Sequence, residues 1–207
     1  MTDHRRPSAR FLARASPEVA PALLGMTLVR ILPDRTRLSV RLVETEAYDQ
    51  TDPASHSFRG RTERNAVMFG PAGHLYVYFT YGMHFCANVV TGRAGQGSAV
   101  LLRAAEPLEG IEAMAERRGT ADPRLLCSGP ARLCQALGIE RGDTGEDLLG
   151  GKRIWLERGS RAPTAEKGPR VGIRHAVERP WRFWIPGDRF VSRGRPGPAR
   201  RSAARPT

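Results

Sequence analysis

Apolar and polar positions alternate in the first third of the chain. The segment 38–48 begins with apolar side chains at every second position, which is the period of a strand with one buried face. An apolar run over residues 26–32 precedes it, and a Pro-Asp pair between the two segments favours a turn. Upstream, Ser16 and Pro17 are residue types that begin a helix, and Gly25 is typical of a helix end. The pattern therefore predicts a short helix followed by two antiparallel strands.

Aromatic and β-branched residues then dominate the segment 74–81, and a second apolar segment covers residues 85–91. We interpret them as the two strands of a hairpin with Tyr81 and Gly82 at its tip. Further strands are predicted at residues 98–104, 153–157, 170–175, 182–185 and 189–192, and helices at residues 106–118 and 130–137. Because strands outnumber helices and are joined by hairpin-type links, the predicted fold class is α+β with a largely antiparallel sheet.

The length of 207 residues favours one domain with a continuous core. The chain has three cysteines, an odd number, and no C-x-x-C spacing among Cys86, Cys127 and Cys134. This indicates reduced thiols rather than a disulfide framework or a zinc ribbon. The histidines are scattered as well, so we expect no metal site. No apolar run reaches the roughly 20 residues of a membrane helix, and no glycine-rich phosphate loop is present. We therefore expect a soluble, cytoplasmic protein.

The chain is strongly basic, with 33 Lys and Arg residues against 21 Asp and Glu residues and a formal net charge of +12. This balance favours a polyanionic partner, and nucleic acid is the leading candidate. Only Lys152 and Lys167 are lysines, so arginine carries the charge, and its planar guanidinium group suits phosphate. Both ends are predicted to be disordered basic segments, residues 1–10 and residues 194–207, around a domain at residues 11–193.

Two carboxylates, Glu44 and Glu46, lie two residues apart near the end of a predicted strand, so both side chains should share one face. Two like charges on one face are unfavourable unless a cation or a hydrogen-bond donor shares the site. From the spacing alone, an exposed polar strand face is the commoner explanation. The residues that follow favour a functional site, because aromatic, amide and basic side chains concentrate in the same third of the chain. They are Tyr48, His56, Tyr76, Tyr78, Tyr81, Asn88 and Arg103.

Tyr76 and Tyr78 share one face of their predicted strand, and such a pair is as consistent with a sheet core as with a ligand platform. Tyr81 differs, because an aromatic side chain beside Gly82 at a hairpin tip cannot be covered by its own sheet. In a basic protein, such a side chain is typical of those that wedge between base steps from the minor groove. The pattern therefore predicts a DNA-binding protein and leaves open whether it is an enzyme.

Several sequence blocks resemble one known family. They are VETEAY, ASH at residues 54–56, RTERN, MFGPAGHLYVYFTYGMHFCANVV, LLRAAEPLEG, SGPARLCQALGI and RVGIRHAVERPWRFWIPGDRFVSR. In this order they are similar to the alkyladenine (3-methyladenine) DNA glycosylases of the mammalian methylpurine type. The resemblance covers residues 11–193 and implies a single mixed domain with a curved, mainly antiparallel sheet, flanking helices and a protruding β-hairpin that intercalates in DNA.

The resemblance also implies roles at the matching positions. Glu46, the second Glu of VETEAY, matches the general base, and Tyr81 matches the intercalating residue of the hairpin. Arg103 and the main-chain carbonyl of Val171 match the groups that orient the attacking water together with Glu46.

A second group of positions matches the base-binding pocket of the family. Tyr48, His56 and Tyr78 match the residues that sandwich the flipped base, and Asn88 matches the one that clashes with the 2-amino group of guanine. Arginines in the long loop that precedes the predicted hairpin are candidate contacts to DNA phosphates. They are Arg59, Arg61 and Arg64.

The activity that the resemblance implies is a monofunctional DNA glycosylase. Such an enzyme flips 3-methyladenine, 7-methylguanine or hypoxanthine out of duplex DNA and hydrolyses the N-glycosidic bond with a Glu-activated water. It leaves an abasic site for base excision repair, works without a cofactor, and is expected to be a monomer. In a bacterium it would be associated with the nucleoid.

Two other functions are considered. A non-catalytic module that binds damaged DNA would show the same charge and exposed aromatic residues. It would have no use for an acid facing DNA, so a buried Glu46 beside Arg103 would favour catalysis. A formyltransferase-like accessory domain is a third possibility at the level of the fold, and the site residues count against it.

Overall fold

The computed structural model describes residues 6–80, 83–159 and 163–193. Within these residues the chain forms eight strands in one sheet and five α-helices. The strands are β1 (Thr27–Ile31), β2 (Arg37–Tyr48), β3 (Leu75–Thr80), β4 (His84–Val90), β5 (Ala99–Glu109), β6 (Ile154–Glu157), β7 (Glu166–Gly168) and β8 (Arg182–Trp184). The helices are α1 (Ala9–Leu12), α2 (Ser16–Ala22), α3 (Ile111–Arg118), α4 (Pro123–Leu126) and α5 (Pro130–Leu137), with 3-10 turns at Glu63–Phe69 and Arg141–Asp143.

The sheet is antiparallel and curves around the long strand β2. Its strand order is β3-β4-β5-β2-β1-β6, and β8 joins β2 to β7. One edge of β2 pairs with β5, while the other edge pairs first with β1 and then with β8. The β2–β5 register shifts after Ser39 and on both sides of Glu44, and such bulges bend a strand. The predicted α+β domain with a curved, mainly antiparallel sheet is therefore confirmed.

Helices α2 and α5 cover the sheet and close the core. Helix α5 begins with Pro130, whose fixed φ suits the first turn, and ends before Gly138, which has a left-handed φ of 62°. Its Leu133 and Leu137 side chains are fully buried in the main hydrophobic cluster. Helix α2 begins one residue earlier than predicted, because Ser16, the predicted cap, is its first helical residue. The hydroxyl of Ser16 donates to the carbonyl of Tyr48 at 2.9 Å.

Three predicted elements are wrong. The helix predicted at residues 106–118 begins only at α3, because β5 continues as a strand to Glu109, which pairs with Ser39 of β2. Residues 170–175 and 189–192 form turns and irregular structure rather than strands. Their backbone runs beside the sheet as connecting segments, and the short strand β7 lies a few residues earlier in the chain.

The β3 and β4 strands pair from Leu75 opposite Val89 to Thr80 opposite His84. Their predicted tip, Tyr81 and Gly82, lies outside the described residues, so the projection and intercalation of a hairpin stay predictions. Residues 1–5 and the basic segment 194–207 also lie outside them. Of the predicted N-terminal arm, residues 6–10 are described, and Arg6 donates to the carbonyl groups of Leu149 and Gly151. None of the helices described has the length and apolar character needed to cross a membrane.

Candidate active site

A cavity of about 390 Å³ opens on one face of the curved sheet. Alternate residues at the end of β2, along β3 and β4 and at the start of β5 line it, together with Met68, residues 54–56, the start of α5 and residues 171–173. The volume is typical of small-molecule pockets, which span about 300 to 1,000 Å³. Eight residues singled out from the sequence line this cavity, and Tyr76 is one of them. The other seven are Glu46, Tyr48, His56, Tyr78, Asn88, Arg103 and Val171.

Glu44 and Glu46 are both fully buried on this face, and Arg103 lies between them. The Nε atom of Arg103 donates to Oε1 of Glu44 at 3.0 Å, and its Nη1 donates to Oε2 of Glu46 at 3.3 Å. Burial alone would lower the pKa of Arg103, but the charges of Glu46 and Glu44 raise it above the ordinary value. Arg103 therefore stays charged and supplies the cation that two neighbouring buried carboxylates require.

The Glu46 carboxylate accepts two further hydrogen bonds. Its Oε1 accepts from the main-chain N–H of Val171 at 2.7 Å, and its Oε2 accepts from the hydroxyl of Tyr48 at 2.8 Å. Burial, and then the charge of Glu46, raises the pKa of Tyr48 well above 10, so this hydroxyl remains a donor. The structure thus brings Val171 to Glu46 through its N–H group, and a role for the carbonyl of Val171 stays a prediction.

An aromatic cluster forms the opposite side of the cavity. The rings of His56 and Tyr78 meet edge to face, with centroids 4.4 Å apart. The hydroxyl of Tyr76 lies 3.0 Å from Nδ1 of His56, and Tyr76 is also buried among the residues of a small apolar cluster. Burial raises the pKa of Tyr76 to about 12 and also raises that of Tyr78. The sequence was consistent with either a core or a ligand-binding role for Tyr76. In the structure Tyr76 is a core residue that also lines the cavity and contacts His56.

The His56 ring is neutral at neutral pH. Desolvation by the surrounding side chains, followed by the positive charge of Arg64, lowers its pKa below the ordinary 6.5. Asn88 is buried on β4 and donates its Nδ2 group to the carbonyl of Tyr76 at 3.0 Å. Its side chain is therefore held against the backbone of the neighbouring strand while it lines the cavity.

The loop that carries His56 is anchored to the start of β5. The hydroxyl of Ser57 donates to the carbonyl of Gly97 at 2.8 Å. The side chain of Asn65 donates to the carbonyls of His56 and Gly60, which fixes the next turn of the loop. The predicted phosphate contacts lie on the surface of this loop and do not line the cavity. They are Arg59, Arg61 and Arg64, of which Arg64 donates to the carbonyl of Phe79 at 3.0 Å.

Replacing Gly97 with alanine should displace this loop. The added Cβ atom would lie 2.4 Å from the Cβ of Ser57 and 2.7 Å from the ring of Phe69. Overpacking of this kind costs about 1 to 3 kcal/mol, so the free energy of unfolding in denaturant should fall by that amount. Gly142→Ala is the matched control, because its added Cβ meets no atom within 4 Å. Equal unfolding free energies for the two variants would show that the loop does not depend on this contact.

Two buried residues beside the cavity were missed from the sequence. Asp52 and Arg170 form an ion pair whose side chains have no exposed surface. Their residue types gave no signal, because an Asp in a loop and an Arg before a Gly-containing segment are ordinarily exposed. Glu44 was noted only for its spacing, yet it also accepts from Arg182 and from the N–H of Ser192.

No group of three or more His, Cys, Asp or Glu side chains is placed to hold a metal ion within the described ranges.

Comparisons with known proteins agree on one family. A family model described as methylpurine-DNA glycosylase (MPG) matches residues 10–189. A relative from Rhodopseudomonas palustris (strain HaA2) is 50% identical over 183 residues, which cover 88% of each chain. Relatives from Burkholderia lata and Carboxydothermus hydrogenoformans are 50% and 47% identical over 188 residues, covering 88% and 89% of this chain and 88% and 97% of theirs. Each of the three carries the name "Putative 3-methyladenine DNA glycosylase".

Proposed function

Because the chain belongs to the methylpurine-DNA glycosylase family, we propose that it removes alkylated or deaminated purines from double-stranded DNA. Its substrates are 3-methyladenine, 7-methylguanine and hypoxanthine. The observation that carries the proposal is the buried carboxylate of Glu46, which lines the cavity and accepts hydrogen bonds from Arg103, Tyr48 and Val171. Residues 11–193 form the glycosylase domain, which acts as a monomer, without a cofactor, on the DNA of the cytoplasm or nucleoid.

The damaged nucleotide must leave the base stack before the reaction. Within a duplex its C1′ atom is out of reach of a water held in a protein cavity, so the nucleotide rotates out at a cost of about a few kcal/mol. Lesions that weaken base pairing reduce that cost, which contributes to selectivity. We assign the filling of the resulting gap to Tyr81 from the resemblance of its YGM motif. The basic loop around Arg59 and Arg61 would hold the flanking phosphates.

Bond cleavage develops positive charge on the sugar, which a carboxylate in the cavity can offset. Glu46 stabilises that charge and accepts a proton from the attacking water. The oxygen of this water bonds to C1′ as the bond between C1′ and the base nitrogen breaks, and the bonding electrons leave with the base. Arg103 and the N–H of Val171 hold the two oxygens of Glu46, so that the carboxylate is fixed before the substrate enters.

The aromatic side of the cavity favours cationic bases. Purines methylated at N3 or N7 are positively charged, and aromatic faces attract cations by about 0.5 to 2 kcal/mol. Because His56 is neutral, it places no positive charge beside Tyr48 and Tyr78 that would repel a cationic base. Asn88, held by the carbonyl of Tyr76, would disfavour guanine bases through contact with their 2-amino group, and 7-methylguanine less than undamaged guanine, because its positive charge is attracted by the aromatic rings.

Hydrolysis without strand cutting fits the side chains at hand. A lyase reaction through an imine needs an amine, and none of the described residues that line the cavity is a lysine. Lys152 and Lys167 are both exposed. The product is therefore an intact strand with an abasic site.

The proposal is tested by following a labelled duplex that contains a single hypoxanthine. An enzyme of this kind produces strand breaks only after alkali treatment, and borohydride traps no covalent protein–DNA adduct. Tight binding to the damaged duplex without alkali-sensitive sites would instead identify a damage-binding module. Trapping of an adduct would overturn the assignment as a monofunctional enzyme.

The excision of cationic bases should weaken in acid because of His56. Since its pKa is lowered, His56 is uncharged at neutral pH and gains a proton only below about pH 6.5. A protonated ring would repel a methylated purine, which is itself a cation. The single-turnover rate for 3-methyladenine, expressed as the ratio of wild type to His56→Gln, should therefore fall between pH 8 and pH 5. Because the substrate's own pH dependence cancels in this ratio, a constant ratio would refute the electrostatic role of His56.

A further inference from the structure

The ion pair between Asp52 and Arg170 is one of the most deeply buried polar contacts described in the protein. Arg170 is 1% exposed and Asp52 is 0% exposed. The Nη2 group of Arg170 donates to Oδ1 of Asp52 at 3.0 Å, and its Nη1 group contacts Oδ2. The Nε atom of Arg170 is buried without a hydrogen-bond partner. A buried pair with an unpaired donor is poor evidence for stability, so another reason for its placement is needed.

Asp52 fixes the turn that leads to His56. Its Oδ1 accepts from the N–H of Ala54 at 3.0 Å, and its carbonyl accepts from the N–H of Ser55 at 2.8 Å. Ala54, Ser55 and His56 all line the cavity, whereas Asp52 does not. The Asp52 carboxylate therefore fixes the wall segment 54–56 without being part of the cavity surface.

Arg170 fixes the strand that carries the proposed base. Its Nη1 group donates to the carbonyl of Ala47 at 3.0 Å, and Ala47 lies between Glu46 and Tyr48 in β2. The guanidinium carbon also lies 4.6 Å from the centroid of the Tyr48 ring. Tyr48 lines the cavity and Arg170 does not, so Arg170 contacts the ring without itself being part of the cavity wall.

Arg170 also fixes the third wall, which begins at the next residue. The N–H of Val171 donates to Oε1 of Glu46 at 2.7 Å, so the peptide after Arg170 contacts the proposed base directly. Nη2 of Arg170 donates to the carbonyl of Ala176 at 3.3 Å and closes this segment at its far end. One guanidinium group thus connects the three wall segments that surround Glu46.

We propose that Arg170, paired with Asp52, is a positioning residue of the active site. It touches neither the water nor the base, and it acts by holding Glu46, Tyr48 and the N–H of Val171 in register with the His56 turn. The inference rests on the proposed function. A misplacement of about 1 Å in such an arrangement can lower a rate by about 100-fold, so the pair should affect the excision step more than DNA binding.

The test compares conservative changes in two buried ion pairs. Arg170→Lys keeps the positive charge but offers one nitrogen in place of the two, Nη1 and Nη2, that make the hydrogen bonds of Arg170. Asp52→Asn keeps the shape of the Asp52 side chain and removes its negative charge. The matched control is Arg30→Lys, because Arg30 is also buried, donates to the carboxylate of Asp143 at 2.7 Å, has an unpaired Nε and does not line the cavity. For each protein we would measure the single-turnover rate of hypoxanthine excision at saturating protein, the affinity for the damaged duplex, and the unfolding midpoint.

The proposal predicts that Arg170→Lys and Asp52→Asn lower the excision rate by about 10- to 100-fold, with affinity for damaged DNA within about 3-fold of wild type. Arg30→Lys should leave both quantities near the wild-type values. Excision rates near wild type in the folded Arg170 and Asp52 variants would overturn the proposal. The proposal would also be overturned if all three variants lost excision and affinity in proportion to their loss of stability. If Arg30→Lys folds and both test variants fail to fold, the Asp52–Arg170 pair serves stability and the proposal is wrong. Absence of excision by the wild-type protein would refute the proposed function itself.

Discussion

Glu46→Gln should lower the single-turnover rate of base excision by at least about 1,000-fold, within the range of about 10² to 10⁴ for general base catalysis. An amide keeps the size of the side chain but can neither accept the proton of the attacking water nor balance the charge on the sugar. Affinity for the damaged duplex should remain, since the aromatic residues and the basic loop are unchanged. The measurement is the rate of alkali-sensitive site formation at saturating protein, alongside the dissociation constant.

Glu44→Gln is the matched control for this change. Glu44 is fully buried like Glu46 and also accepts a hydrogen bond from Arg103, but it does not line the cavity. Glu44→Gln should lower the free energy of unfolding, and it should lower the excision rate much less than Glu46→Gln does. A Glu46→Gln protein that excises at the wild-type rate would show that Glu46 is not the base.

Arg103→Met should be the most destabilising of the changes considered. It removes the cation that the buried Glu44 and Glu46 share and leaves Glu44 paired with Arg182, so the uncompensated charge is that of Glu46. Removal of one partner from a buried ion pair costs about 3 to 5 kcal/mol, so the free energy of unfolding in denaturant should fall by that amount at neutral pH. Excision should be lost as well, because Glu46 would no longer be held by Arg103.

Two further variants test the reason for that loss. Arg103→Lys retains the charge without the fork that reaches both carboxylates, so its stability should lie between that of wild type and Arg103→Met. Arg124→Met removes an exposed arginine that pairs with Asp122, and its unfolding midpoint should stay near that of wild type. If Arg103→Met is as stable as the wild type, the two carboxylates do not depend on this cation.

The fold could be predicted where local pattern and long-range pairing agree. The β1–β2 pair and helix α5 follow from period-two alternation, from Pro130 and from Gly138. The prediction is wrong at residues 106–109, where helix-forming residues continue β5 because β2 supplies a pairing edge as far as Ser39. Pairing with a distant strand overrides local propensity there, and the sequence of residues 106–109 does not show that β2 is available for pairing.

The candidate site was predicted unevenly. Glu46, Tyr78 and Arg103 were singled out from their residue types and received their roles from the resemblance, and the structure brings all three to one cavity. The contacts that hold them were not predictable, because Asp52 and Arg170 are 118 positions apart. Such a pair is specified by the closure of the sheet rather than by a motif.

Hydrolysis of the bond between a damaged purine and its sugar is the step on which the proposed function depends. It is tested by the summed amount of free 3-methyladenine and 7-methylguanine that excess wild-type protein releases from a methylated duplex, quantified together with the abasic sites left in the same DNA. We expect one free base for each abasic site and no release from the unmethylated duplex. Tight binding to the methylated duplex without any free base would contradict it.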